Sequence, residues 1–240
     1  MLGNITDLIW MLKLKLLLFD IDGTLLMSGG AGRQAMNRAF MHCYGFENGF
    51  QDISMMGRTD PLILKEALLK HRLPFQDDIR SFQSVYYRFL EEELSKPASD
   101  KTLCPGIIDL LIKLHRDKTM TLGLLTGNWR RGAYLKLRHF QIQNYFYIGA
   151  YADDAEERSR LIPVALQRFR ETAGISIDPS DVFVIGDTPL DIIAAKPHHV
   201  RTVGVATGFH DLESIRREHP DKLFKNLRNT DRVVRYFQEA

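Results

Sequence analysis

"LLLFDIDGTLL", residues 16–26, decides the fold. An apolar run of strand length ends in two aspartates, Asp20 and Asp22, one residue apart, with Gly23 and Thr24 directly after them. Residues two apart on an extended chain point to the same side, so the two carboxylates are expected to face one way. Two such charges at the tip of a buried strand repel each other and resist desolvation unless something pairs with them. Either the tip is wet or a cation belongs there.

Working outward, the chain repeats the pattern. "MTLGLLTG" (120–127), "YFYIGA" (145–150), "DVFVIGD" (181–187) and "RTVGVATG" (201–208) are short apolar runs of the kind that form buried parallel strands. Helical stretches lie between them: "PGIIDLLIKLHRD" (105–117), with Pro105 suited to a first turn, then "RGAYLKLRHF", "RLIPVALQRFRETA" and "PLDIIAAK". Strand and helix in this alternation predict an α/β fold with a doubly wound, Rossmann-like parallel sheet. Residues 28–103 break the rhythm. They hold no convincing strand but three helical stretches, "AGRQAMNRAFMHCYG", "DPLILKEALLKH" and "DDIRSFQSVYYRFLEEELSK". The segment is too long for an αβ connection and too helical for a loop, and it reads as a small cap inserted after the first strand. The expected organisation is a core of 14–27 and 104–240, a helical cap of 28–103, and an N-terminal extension of 1–13.

Bulk properties narrow the function. Thirty-two Lys and Arg against thirty Asp and Glu leave a net charge of only +2, which gives no electrostatic case for nucleic acid or an anionic membrane. Asp7, Lys13 and Lys15 interrupt the Leu-rich start before it reaches the about twenty apolar residues of a spanning helix. No basic segment precedes it and no small-residue cleavage site follows. A cytoplasmic protein is expected, with Met11 as a second candidate start. Cys43 and Cys104 read as two free thiols in a reducing compartment. The oligomeric state is not legible.

In an open parallel sheet, ligands collect beyond the carboxyl ends of the strands. Those ends carry Asp20, Asp22, Gly23 and Thr24; then Thr126, Gly127 and Asn128; then Gly186, Asp187 and Thr188, with Asp191 four residues on. Asp20, Asp22 and Asp187 offer the oxygen ligands that Mg²⁺ prefers. One of the first two aspartates could attack while the other handles a proton. Thr126 and nearby backbone N–H groups could hold phosphoryl oxygens. Arg158 or Arg160, in "EERSRLIP", could offset phosphoryl charge.

"DIDGTL", "LLTGN", an Arg in "EERSRLIP" and "GDTPLD", in this order, resemble the four motifs of the haloacid dehalogenase-like hydrolase superfamily, and the helical insertion is similar to its cap. The resemblance covers about residues 14–237. It implies that Asp20 is the nucleophile forming an aspartyl-phosphate and that Asp22 is the acid that protonates the leaving oxygen and then activates water. It further implies that Thr126 binds phosphate, and that Asp187 and a supporting Asp191 bind Mg²⁺ together with Asp20 and the Asp22 backbone carbonyl. The third motif usually carries Lys; here Arg158 is favoured and Arg160 is the alternative. Dehalogenases and phosphonate-cleaving relatives lack the second aspartate, so Asp22 argues for phosphate-ester chemistry. A Mg²⁺-dependent phosphatase acting on a small phosphorylated metabolite is expected, with phosphoglycolate as the best single candidate. A sugar phosphomutase and a silent phosphate-ligand-binding protein are the alternatives.

Other features have plainer readings. Gly30-x-Gly32-x-x-Ala35 does not follow a strand as a dinucleotide fingerprint must. Asp153, Asp154, Glu156 and Glu157 read as a solvated acidic helix start rather than a second metal site. His198 and His199 are expected at the surface, and Phe82, Tyr86, Tyr87 and Phe89 in the cap core. In "MMGRTDP" (55–61), Gly57 and Asp60 fit a turn and a helix start, while Arg58 could face the site and pair with an anionic substrate group.

Overall fold

The computed structural model describes residues 14–74 and 79–240. The readings of residues 1–13, and of Asp77 and Asp78 as helix, lie outside the described residues. Six parallel strands form one sheet: β1 (Lys15–Phe19), β4 (Met120–Leu125), β5 (Ile148–Ala150), β6 (Val182–Gly186), β7 (Arg201–Val205) and β8 (Lys222–Phe224). Their order across the sheet is β5-β4-β1-β6-β7-β8. β1 is central, pairing with β4 on one side and β6 on the other. All its residues are buried, as a strand covered on both faces requires, which is why its apolar run does not alternate. The buried Lys15 sends its ammonium to the Ala240 carbonyl oxygen at 2.7 Å, at the carboxyl end of the last helix, where a cation is favoured.

Two clusters fill the faces of the sheet. One gathers Leu17, Phe19, Leu122, Leu124, Phe183 and Ile185 with Ile107, Leu110, Leu111 and Leu114 of α4 (Ile107–Arg116). The other sets Leu16, Leu18, Val182 and Val184 against Leu161, Ile162, Ala165 and Phe169 of α6 (Leu161–Ala173). Odd and even strand residues thus serve opposite faces, and each buried Leu contributes about 1.5–3 kcal/mol. Pro105 does not enter α4: Gly106, at φ +90°, is the residue before the helix, and the Pro105 carbonyl instead accepts from Leu227 N–H. Helices α5 (Arg130–His139), α7 (Pro189–Ala195), α8 (Leu212–Arg216) and α9 (Thr230–Glu239) complete the layers.

Between β1 and β4 stand three helices, α1 (Ala31–Tyr44), α2 (Asp60–Lys70) and α3 (Arg80–Ser95). The segment also holds strand residues the sequence did not suggest: β2 (Leu26–Ser28) and β3 (Lys101–Leu103) pair antiparallel where the chain leaves and rejoins the sheet layer. Three residues each are too few to show an alternation. Phe82, Tyr86 and Tyr87 are buried with Phe40, and Phe89 packs partly buried beside them. Their cluster is not confined to the helical segment, since Trp129, Leu135 and Ala152 join it from the sheet side. Trp129 lies with ring centroids 5.5 Å from Tyr86 and 6.3 Å from Phe82.

Candidate active site

The chain runs from β1 to β4 and β5 on one side, then crosses to β6, β7 and β8 on the other, so β1 is the point where the winding reverses. Asp20 follows β1, Thr126 follows β4 and Asp187 follows β6. The fold therefore brings three strand ends together at one crevice.

Asp20, Asp187 and Asp191 place carboxylate oxygens all within 4.8 Å of one another, each on a buried residue. Asp191 is held by a reciprocal cap: its Oδ2 accepts from the N–H and hydroxyl of Thr188, and Thr188 Oγ1 accepts from Asp191 N–H. Its Oδ1 faces Arg158, which also stands 3.2 Å from Asp20 Oδ1. Asp187 Oδ1 accepts from Thr24 at 2.9 Å. Gly23 is at φ +83°, and a Cβ there would collide with the Asp187 carboxylate, so glycine is needed both for the turn and for the close approach. Burial pushes the Asp20 carboxyl up to about 6 against the pull of Arg158. Burial, with the charges of Asp191 and Asp20, drives Asp187 well above the carboxylate range. Although burial opposes it, the Arg158 guanidinium is held above its usual value by Asp191 and Asp20.

Three buried carboxylates stand beside one guanidinium, which pairs with Asp20 and Asp191, leaving an excess of negative charge made of hard oxygen donors. Such a donor set fits Mg²⁺. Among the described residues it is the one group of acids, histidines or cysteines close enough to hold an ion.

The Asp22 carboxylate stands apart from this group. The chain turns after Asp20, with Thr24, Leu25 and Leu26 N–H groups all donating to the Ile21 carbonyl, so the strand alternation that would align the two aspartates does not persist to Asp22. Asp22 Oδ2 accepts from Lys136 at 2.5 Å and from Asn128 Nδ2 at 2.9 Å. Asn128 Nδ2 also donates to Thr126 Oγ1 at 2.9 Å, and its Oδ1 accepts from Lys136 at 2.6 Å. Sequence reading missed Lys136. The available signal was its place in the stripe Trp129, Ala133, Lys136, Leu137, where the other three members are buried hydrophobics.

Arg158 rather than Arg160 is the guanidinium at the cluster, since Arg160 is exposed and pairs with Glu157. Arg58 is not brought there. Its guanidinium is engaged by Glu66 at 2.5 Å and the Ser54 carbonyl at 3.0 Å. The backbone of its turn reaches the strand ends instead. Asp60 N–H donates to the Gly127 carbonyl at 2.7 Å, and Asp60 Oδ2 accepts from Trp129 N–H at 2.8 Å. Thr59 Oγ1 donates to the Glu156 carbonyl, and Arg158 reaches the Gly57 carbonyl at 3.5 Å. A Cβ on Gly127 would strike the Arg58 carbonyl, so the turn and the 127–129 loop fit only because Gly127 has no side chain. Burial raises the Asp60 carboxyl to about 7, although the Lys136 charge and the Trp129 N–H pull it down.

The acidic run at 153–157 precedes the helical turn at Arg158–Arg160 rather than starting a helix, and Asp154 is paired to Arg168 by two bonds of 2.6 and 2.7 Å. His199 is exposed, while His198, half-buried, meets Ser159 at 3.0 Å.

Comparison with known proteins gives this architecture a family. Residues 17–205 match the model of the haloacid dehalogenase-like hydrolases, and the chain belongs to that family. It is 26% identical over 220 residues to the phosphoglycolate phosphatase of Vibrio vulnificus, covering 90% of this chain and 93% of that one. It is 20% identical over 231 residues to the pyrophosphatase PpaX of Oceanobacillus iheyensis, covering 93% and 98%. The crystal structure of CbbY from Rhodobacter sphaeroides in complex with phosphate superposes with a TM-score of 0.68 at 19% identity, covering 90% of this chain and 95% of that one, a likeness of fold.

Proposed function

We propose that the chain is a Mg²⁺-dependent phosphatase that hydrolyses a small phosphomonoester through an aspartyl-phosphate on Asp20. The observation that carries this reading is the buried group of Asp20, Asp187 and Asp191 around Arg158 at the sheet's switch point. Asp20, Asp187, the Asp22 backbone carbonyl and the supporting Asp191 would hold Mg²⁺, which when bound neutralises the carboxylates and draws charge from the phosphoryl oxygens. An Asp20 oxygen attacks phosphorus as the ester bond breaks, and Asp22 gives its proton to the departing oxygen. Asp22 then takes a proton from water, whose oxygen attacks phosphorus and frees Asp20 and inorganic phosphate. Thr126 donates to a phosphoryl oxygen, since its Oγ1 already accepts from the Asn128 side chain. Gly127 and Asn128 line the same oxygens. The Arg158 Nε, buried and without a hydrogen-bond partner among the described residues, supplies a further donor.

Helices α1–α3 act as a cap that excludes water from the phosphoryl group, with residues 28–103 as its extent. Arg58 becomes a substrate contact only if it leaves Glu66. Phosphoglycolate is the favoured substrate, supported by relatives of that name, and the cytoplasm the favoured compartment. No helix among the described residues is long and apolar enough to cross a membrane.

Phosphate release from a panel of small esters, with phosphoglycolate and pyrophosphate included, tests the reading. Release that needs Mg²⁺, stops with EDTA and is lost in Asp20→Asn is expected. Phosphoryl return to a sugar without net release would make it a mutase, and tight ligand binding without turnover a binding protein.

A further inference from the structure

Lys136 is 4% exposed, and burying an ammonium is costly unless its protons are taken up. It takes up its place with two short bonds, to Asp22 Oδ2 at 2.5 Å and to Asn128 Oδ1 at 2.6 Å. The first turn of α1 closes over it, so that a Cβ on Gly32 would stand 3.5 Å from Nζ. An ammonium only donates. The Asn128 oxygen must therefore face Lys136, which turns the Asn128 amide nitrogen toward both Asp22 Oδ2 and Thr126 Oγ1. Asp22 Oδ2 thus carries two donors, while among the described residues Oδ1 has only Ser28 Oγ at 3.4 Å, and the side chain is 40% exposed.

We propose that Lys136 is a positioning residue that acts through Asp22, fixing Oδ2 so that Oδ1 is the oxygen that passes the proton to the leaving group. The proposal rests on the phosphatase reading above. Lys136 touches neither phosphorus nor leaving oxygen in this scheme; it sets which carboxylate oxygen is presented and orients Asn128 by the same ammonium. A chain lacking it would bind ester and metal but deliver the proton from a carboxylate whose Oδ2 keeps only the Asn128 bond, from an amide Lys136 no longer orients.

The test exploits leaving groups. p-Nitrophenolate departs without a proton, whereas a simple alkyl alcohol needs one. In single-turnover measurements of alcohol release, Lys136→Met is expected to slow an alkyl phosphate about 10²-fold and p-nitrophenyl phosphate by less than about 3-fold, with KM changed by less than about 3-fold. Lys136→Arg is expected to recover at least about tenfold of the alkyl rate. Lys136→Gln, which keeps a neutral donor, serves if the Met variant does not fold, with the same selective loss expected. Equal losses for both esters, or a change confined to KM, would overturn the role of Lys136 while leaving the phosphatase intact. Wild-type protein that releases neither alcohol sinks the phosphatase reading, and this role with it.

Discussion

At the carboxyl edge of the sheet, charged side chains face one another: Asp20, Asp187 and Asp191 around Arg158, and Asp22 against Lys136. In the helices between β1 and β4, several charges are settled within the segment, although Glu91 pairs outward with Arg138 and Lys65 with Glu156. Arg33 donates to the Phe50 and Ile53 carbonyls, Arg38 pairs with Glu92 and Glu93, and Arg58 with Glu66. What those helices send to the strand ends is backbone, through Gly57, Arg58 and Asp60, together with the Thr59 hydroxyl and the Asp60 carboxylate. The difference teaches where to look for each property. Chemistry should respond to side-chain changes at the strand tips, and closure to changes in the fit of the turn at 57–60.

Arg158→Met is expected to give the largest departure. It removes the guanidinium that pairs with both Asp20 and Asp191, so activity should fall about 10²–10³-fold. Leaving those carboxylates buried without their partner should also lower stability by roughly 3–5 kcal/mol, read by denaturant unfolding in EDTA. A variant with wild-type activity would break the contrast between the two regions.

Gly127→Ala sharpens it from the other side. The new Cβ must push the Arg58 carbonyl away, so kcat/KM should fall about 10- to 100-fold while every strand-tip carboxylate is retained. Unchanged kcat/KM would mean that docking of the turn does not limit turnover.

Asp60 supplies a test read on stability alone. The unfolded chain releases this proton near 3.8 and the folded chain near 7, so the folded state binds more protons between these values. Its contribution to stability is therefore complete below about pH 4 and is lost as pH rises to about 7. Asp60→Asn can still accept from Trp129 N–H but cannot ionise. Relative to wild type, its stability curve should be flatter across that window, by up to about 1.4 kcal/mol per pH unit. Parallel curves would show that Asp60 ionises freely in the folded protein.

The two regions also differ in how legible they were. The strands on which Asp20, Thr126 and Asp187 are mounted announce themselves, because burial on both faces leaves an unbroken apolar run and the polar residue after it marks the tip. β8, with three residues of which one is Lys222, has no such run, and β2 and β3 are as short. Arg158 was favoured over Arg160 by resemblance alone, since both flank one serine and only the winding of Arg158–Arg160 turns one inward. Lys136 and the Arg58–Glu66 pair depend on which helix face meets which neighbour. Tertiary packing settles that: helical spacing places Lys136 on a buried face but does not name Asp22 or Asn128 as its partners, nor Glu66 as the partner of Arg58.

Trapping the intermediate tests the central claim most directly. Protein mixed with phosphate-labelled substrate and Mg²⁺, quenched in acid within one turnover and digested, should carry a hydroxylamine-sensitive acyl-phosphate on the peptide containing Asp20, absent from Asp20→Asn. Rapid phosphate release with no label on that peptide, or label on another residue, would contradict the assignment of Asp20 as the nucleophile.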